Sequence, residues 1–113
     1  MSDPTRRLPN GDQAEFDLRK LTEYCLNPGH PRGRHKARVF DDTLGIGQAD
    51  AEELQARFLR AGMAVLHETD KWGERWRVDV AIVRQNRRIM IRTIWIVRRS
   101  SPNPKFVTCW VLR

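Results

Sequence analysis

The chain has 113 residues, of which 40% are hydrophobic and 31% charged, enough for one modest core and too few for several domains. Lys plus Arg total 21 against 14 Asp plus Glu, a net charge of +7 that points to a polyanionic partner. No run approaches the ~20 apolar residues of a membrane span, and Met1–Arg7 has no apolar stretch behind it, so no membrane partner is expected and a cytoplasmic location is.

Residues 1–15 are polar, with Pro4, Pro9, Asn10 and Gly11, and are expected to form a flexible leader ahead of a single domain over 16–113. Asp17 is placed to cap a first helix, with Phe16 packing on Leu21, and Leu18, Leu21 and Cys25 set its apolar stripe to about Leu26. Asn27-Pro28-Gly29-His30-Pro31 then stops it. A second helix is predicted from about Arg34 to Leu44, with Gly45 as its stop. Asp50-Ala51-Glu52-Glu53 opens a third as a capping box, turning Leu54, Phe58 and Ala61 inward and ending at Gly62. From Met63 the character changes. A short apolar run to Glu68 precedes Trp76, Val78, Val80 and Ile82, which alternate with polar residues as a half-buried strand does. Gln85-Asn86 turns the chain into a β-branched segment, Arg87–Arg99, and Phe106–Leu112 closes it. Helices first and strands afterwards predict an α+β fold: about three N-terminal helices packed on a four-stranded antiparallel sheet.

The segment from Asn27 to Arg38 gathers two histidines, a lysine and three arginines around a helix start, a setting suited to an anion, with Gly33 letting the backbone approach closely. His30, between Gly29 and Pro31, is the side chain able to exchange a proton near neutrality. Cleavage of an RNA phosphodiester needs a base, an acid and cations around the developing charge, and His30, Lys36 and the arginines, Arg34 among them, contain those parts. His35 is a weaker candidate. In Arg92-Thr93-Ile94-Trp95 an arginine interrupts an apolar strand and must reach an edge, an anion or an acid. On the last strand Val107, Cys109 and Val111 share a core face, leaving Thr108 for a phosphate oxygen and Trp110 for a base, unless Trp110 packs on Trp95 or Trp76. Cys25 and Cys109 have no zinc spacing and are read as buried thiols without a disulfide. Cys25, His30 and His35 lack a fourth ligand, so neither a metal nor any other cofactor is expected.

The string Lys20-Leu21-Thr22-Glu23-Tyr24-Cys25-Leu26-Asn27-Pro28, with His30-Pro31, Gly33, Lys36-Ala37 and Phe40, resembles an uncharacterised bacterial domain family. That family is also marked by an Arg-Thr-x-Trp strand, here Arg92–Trp95, and a closing Val-Thr-x-aromatic strand, here Val107–Trp110. More distantly, the element order and Thr108-Cys109-Trp110 are similar to the barnase–EndoU–colicin–RelE group of small ribonuclease toxins, with tryptophan where a tyrosine is usual. This second resemblance implies a metal-independent endoribonuclease with His30 as general base or acid. Lys36 and Arg92 would then stabilise the phosphorane, Thr108 would bind a phosphate oxygen, and Trp110 or Trp95 would stack a base. Arg34, His35 and Thr93 would complete the substrate surface.

RNA is therefore the expected substrate and an acidic antitoxin or immunity protein the expected partner, the chain acting in the cytoplasm or delivered within a larger secreted toxin. The competing reading is a non-catalytic module that binds nucleic acid or protein through the same basic face. A role as the immunity protein itself is opposed by the charge of +7.

Overall fold

Trp76, Val78, Val80 and Ile82 do alternate inward, and the strand they build is the centre of the molecule. The computed structural model describes residues 5–60, 63–84 and 86–112. Five strands, β1 (Thr5–Arg7), β2 (Met63–Asp70), β3 (Gly73–Arg84), β4 (Arg87–Arg98) and β5 (Lys105–Val111), form one antiparallel sheet in chain order. Two α-helices, α1 (Arg34–Leu44) and α2 (Ala51–Arg60), precede the four long strands. The fold is thus α+β, with helices ahead of an antiparallel sheet. The predicted end of α2 at Ala61-Gly62, and Gln85 of the β3–β4 turn, lie outside the described residues. Asn86 in that turn takes a left-handed conformation, φ 66°.

Register pairs Trp76 with Trp95, Val78 with Thr93 and Val80 with Ile91, and continues to Cys109 opposite Thr93 and Val111 opposite Ile91. These residues make the core face, covered by Phe40 and Leu44 of α1 and by Leu54 and Phe58 of α2. Phe106 and Cys109 are both buried although three residues apart, which strict alternation forbids. A bulge resolves this: Ile94 pairs with Thr108 but Trp95 with Phe106, leaving Val107 as the extra residue. Val107 is accordingly half-buried rather than a core partner of Cys109 and Val111.

Three local expectations change. The described part of the leader is folded: Thr5–Arg7 adds an edge strand to β2, Leu8 is buried, and Glu15 exchanges backbone hydrogen bonds with Pro104 and Phe106. Backbone pairing carries much of that segment and leaves no side-chain signature; Leu8 and Ala14 pack on the core, and Asn10 and Glu15 reach Pro102 and Lys105. The first predicted helix is instead a π-helical turn, Leu21–Cys25, in which the Leu26 N–H donates to the Leu21 carbonyl. Phe16 stacks on Phe106, with ring centroids 3.9 Å apart. Finally, the Asp50 carboxylate accepts the Gly47 N–H (2.9 Å) and pairs with Arg84 (3.2 Å), holding the turn ahead of α2 to β3.

Candidate functional site

Thr108 and Trp110 alternate with the buried Cys109 and Val111, so they stand off the core face of the edge strand β5, both half-buried. Helix α1 packs beside this strand. From it Lys36 extends its ammonium to the Thr108 hydroxyl, which accepts a hydrogen bond of 2.8 Å. The same Nζ lies 5.5 Å from the centre of the Trp110 ring and 5.2 Å from that of Tyr24, within cation–π range of both. Tyr24 meets His30 edge-on at 4.8 Å. Beneath them Cys25 Sγ is 3.6 Å from Thr108 Oγ1. Three elements thus converge on one hydroxyl: the π-helical turn, α1 and β5. His35, Lys36, Val39, Trp110 and Val111 line a shallow cleft of about 180 Å³ alongside.

His30 is placed at this cluster and also holds the start of α1. Its Nδ1 accepts the N–H groups of Arg32 (3.0 Å) and Gly33 (2.9 Å), and its carbonyl accepts that of Arg34 (3.0 Å). A ring nitrogen that accepts two N–H bonds bears the lone pair, so the hydrogen sits on Nε2 and the ring has no second lone pair to act as a base. The N–H groups of Arg32, Gly33 and Arg34, at the helix start expected to receive an anion, are therefore engaged by His30. Gly33 is needed for a different reason than an approaching anion: a Cβ there would lie 2.1 Å from the Tyr24 carbonyl oxygen. Glycine at 33 lets the loop seat against the turn that carries Tyr24 and Cys25.

Arg92 lies opposite Trp110 in register, on the face away from the core, where it makes a two-pronged ion pair with Asp79 (2.9 and 3.0 Å). That pairing raises its pKa, chiefly through the carboxylate hydrogen bond, and commits the guanidinium to a neighbour. Arg34 and His35 are exposed on the first turn of α1. Thr93 and Trp95 are not part of any substrate surface. Both are buried, because the register that sends Arg92 outward sends them into the core. Thr93 Oγ1 donates to the Val78 carbonyl (2.7 Å) and accepts the Trp95 indole N–H (2.9 Å). Trp110, on the opposite face, cannot pack on Trp95 or Trp76.

Tyr24, Cys25 and Asp79 were not among the sequence candidates as site residues. Cys25 sits in an apolar stripe that reads as ordinary helix packing and Tyr24 lies beside it, and the π-turn brings Cys25 to Thr108 and Tyr24 to Lys36. Asp79 is the expected polar alternate of β3, and its pairing with Arg92 depends on register.

A family model matches residues 7–113, and its description is a domain of unknown function, DUF6883. The chain belongs to the DUF6883 family. No curated protein and no solved structure matches this chain. What the DUF6883 domain offers chemically must be taken from its own side chains: one cation on one hydroxyl, two aromatic rings beside them, and exposed arginines at Arg32, Arg34 and Arg38.

Proposed function

We propose that this DUF6883 domain is a metal-independent endoribonuclease of toxin type that takes one phosphate of an RNA chain between Lys36 and Thr108. The observation that carries the reading is the Lys36–Thr108 pair, flanked by the Tyr24 and Trp110 rings. In RNA cleavage the 2′-oxygen forms a bond to the adjacent phosphorus and gives its proton to water, while the bond from phosphorus to the 5′-oxygen breaks and that oxygen takes a proton from water. The added negative charge on the phosphorane is met by the Lys36 ammonium. The Thr108 hydroxyl orients a non-bridging oxygen, and His30 offers Nε2–H as a further donor. Bases on either side stack on Trp110 and Tyr24, worth about 1–3 kcal/mol each. Arg92 joins only on leaving Asp79. Catalysis of this kind works through orientation and charge. The natural partner is an acidic inhibitor protein drawn to the same face by charge complementarity, and the RNA is cytoplasmic whether the domain is made there or delivered.

The capping bonds of His30 and the Arg92–Asp79 pair favour a second reading, a binding module without catalysis. One experiment separates them. Purified protein with single-stranded RNA in EDTA should cleave it, and Lys36→Met should lower the rate about 100-fold or more while the protein remains folded. Intact RNA with retained salt-sensitive binding would establish the module instead.

A further inference from the structure

The residues of β3 and β4 that alternate with the core make a second face of the sheet, away from the helices, and the Lys36–Thr108 pair sits only at its edge. Register lays rows across this face. Thr108, Ile94, Arg77 and Val65 form one, running over β5, β4, β3 and β2. Trp110, Arg92 and Asp79 form the row on one side of it, and Lys105, Ile96, Arg75 and Glu68 the row on the other. Ile94 and Ile96 are only 6% and 7% exposed, yet they stand apart from the helix-covered core. Cross-strand neighbours on one face have Cβ atoms about 5 Å apart, so the stems of Arg77 and Arg75 are in reach of these isoleucines and carry their guanidinium groups at the surface. Two arginines of these rows are committed: Arg92 takes both oxygens of Asp79, and Arg75 pairs with Asp70. Arg77, in the middle row, is half-buried and has neither an ion pair nor a side-chain hydrogen bond among the described residues. Its five N–H donors remain for a ligand.

We propose that Arg77 is a second phosphate subsite: the RNA strand held at Lys36 and Thr108 continues along their row, across the face away from the helices, and the Arg77 fork grips a further phosphate. Arg77 and Thr108 stand two strands apart, ~10 Å at the backbone, so the phosphate that Arg77 takes lies beyond the reacting one. A planar guanidinium binds a phosphate through two parallel hydrogen bonds, and the stem resting on Ile94 limits how far the fork can swing. Asp79 and Asp70, the carboxylates nearest in the flanking rows, are held by Arg92 and Arg75, which leaves the positive charge of Arg77 uncancelled. The contact is to the backbone of the nucleic acid and is independent of base sequence. The subsite rests on the reading that seats a phosphate at Lys36 and Thr108, but it needs only binding there, not cleavage.

Titration of the whole chain with a fluorescent 2′-O-methyl oligoribonucleotide, whose blocked 2′-oxygen cannot attack, tests this. Arg77→Met keeps most of the stem and removes the charge. It should weaken binding about tenfold. The slope of log affinity against log salt should become shallower by ~0.7, the share of one phosphate contact on a single strand. Arg77→Lys should keep the wild-type slope, because the charge remains; a purely structural role for Arg77 would not move the slope in either variant. If Arg77→Met does not fold, the Arg77 Nε–H resonance of the wild-type chain decides, and it should shift when the oligonucleotide is added. A folded Arg77→Met protein with wild-type affinity and slope overturns the subsite, as does an Arg77 resonance that stays still or a wild-type chain that binds no oligonucleotide. Unmodified RNA incubated in parallel keeps the two readings apart. Weakened binding by Arg77→Met with RNA left intact by the wild type removes the nuclease and keeps the subsite, while cleavage with Arg77→Met binding as wild type removes the subsite alone.

Discussion

Thr93 shows how one hydroxyl can be structural within a motif that reads as functional. It is fully buried, and its oxygen joins the β3 backbone to the indole of Trp95. Thr93→Val keeps the volume but strands the indole N–H in the core, at a cost of about 1–3 kcal/mol. The expected result is a lower urea midpoint with an unchanged slope and undiminished RNA cleavage. Lost cleavage in a stable Thr93→Val protein would return the residue to the site. Position alone separates Thr93 from Thr108: Thr93 pairs with Cys109 and Thr108 with Ile94, one register step apart and on opposite faces of the sheet, and only Thr108 meets Lys36. Alternation on β5 was readable because Cys109 and Val111 are apolar. The segment 87–99 is apolar on both faces, so nothing in its pattern shows that Arg92 points out and Trp95 in.

Helix α1 and the loop before it were legible almost to the residue, since the glycine and prolines punctuate the chain and Gly45 adopts the left-handed stop at φ 64°. The π-turn was not, because it differs from an α-turn by one hydrogen-bond step and buries the same leucines. The charges on α1 run against its dipole. Arg34 and Lys36 occupy the first turn, and Asp41 and Asp42 the last. Each such placement disfavours the helix by about 0.3–1 kcal/mol. His30 offsets part of this by taking up backbone N–H groups, so the loop histidine stabilises a helix start that the cations weaken. His30→Ala should therefore cost about 1 kcal/mol in thermal unfolding, as loss of a helix cap does. Asparagine carries an acceptor and an N–H on one side chain, so His30→Asn should recover both the stability and most of the cleavage. A stable His30→Asn protein that loses cleavage 100-fold would make the imidazole a proton carrier.

At the scale of the molecule, the excess of cations is partly neutralised by pairs: Arg75 with Asp70, Arg84 with Asp50, Arg92 with Asp79 and Arg57 with Glu53. Arg32, Arg34, Lys36 and Arg38 hold no ion pair among the described residues; Lys36 reaches the site, while Arg34 and Arg38 line a separate cleft round α1 with Pro28 and Gln48. If each of the four meets one phosphate, the logarithm of RNA affinity should fall with log salt at a slope near ~−3. Titration of a fluorescent oligoribonucleotide between low and moderate salt measures it. A flat dependence would place the polyanion elsewhere or remove it. Net charge, fold class and the basic segment were thus open to reading from composition and punctuation. The assembly of the site was not, because its parts lie on three elements separated by most of the chain.

That separation has a consequence for how the domain comes into being. The strands pair in the order they are made, each with its predecessor, and β5 closes the series. A growing polypeptide can therefore fold its hairpins while Lys36 and Tyr24 still lack the hydroxyl and the indole they work with. An intermediate without the closing strand lacks both Thr108 and Trp110, so the cluster around Lys36 is completed last.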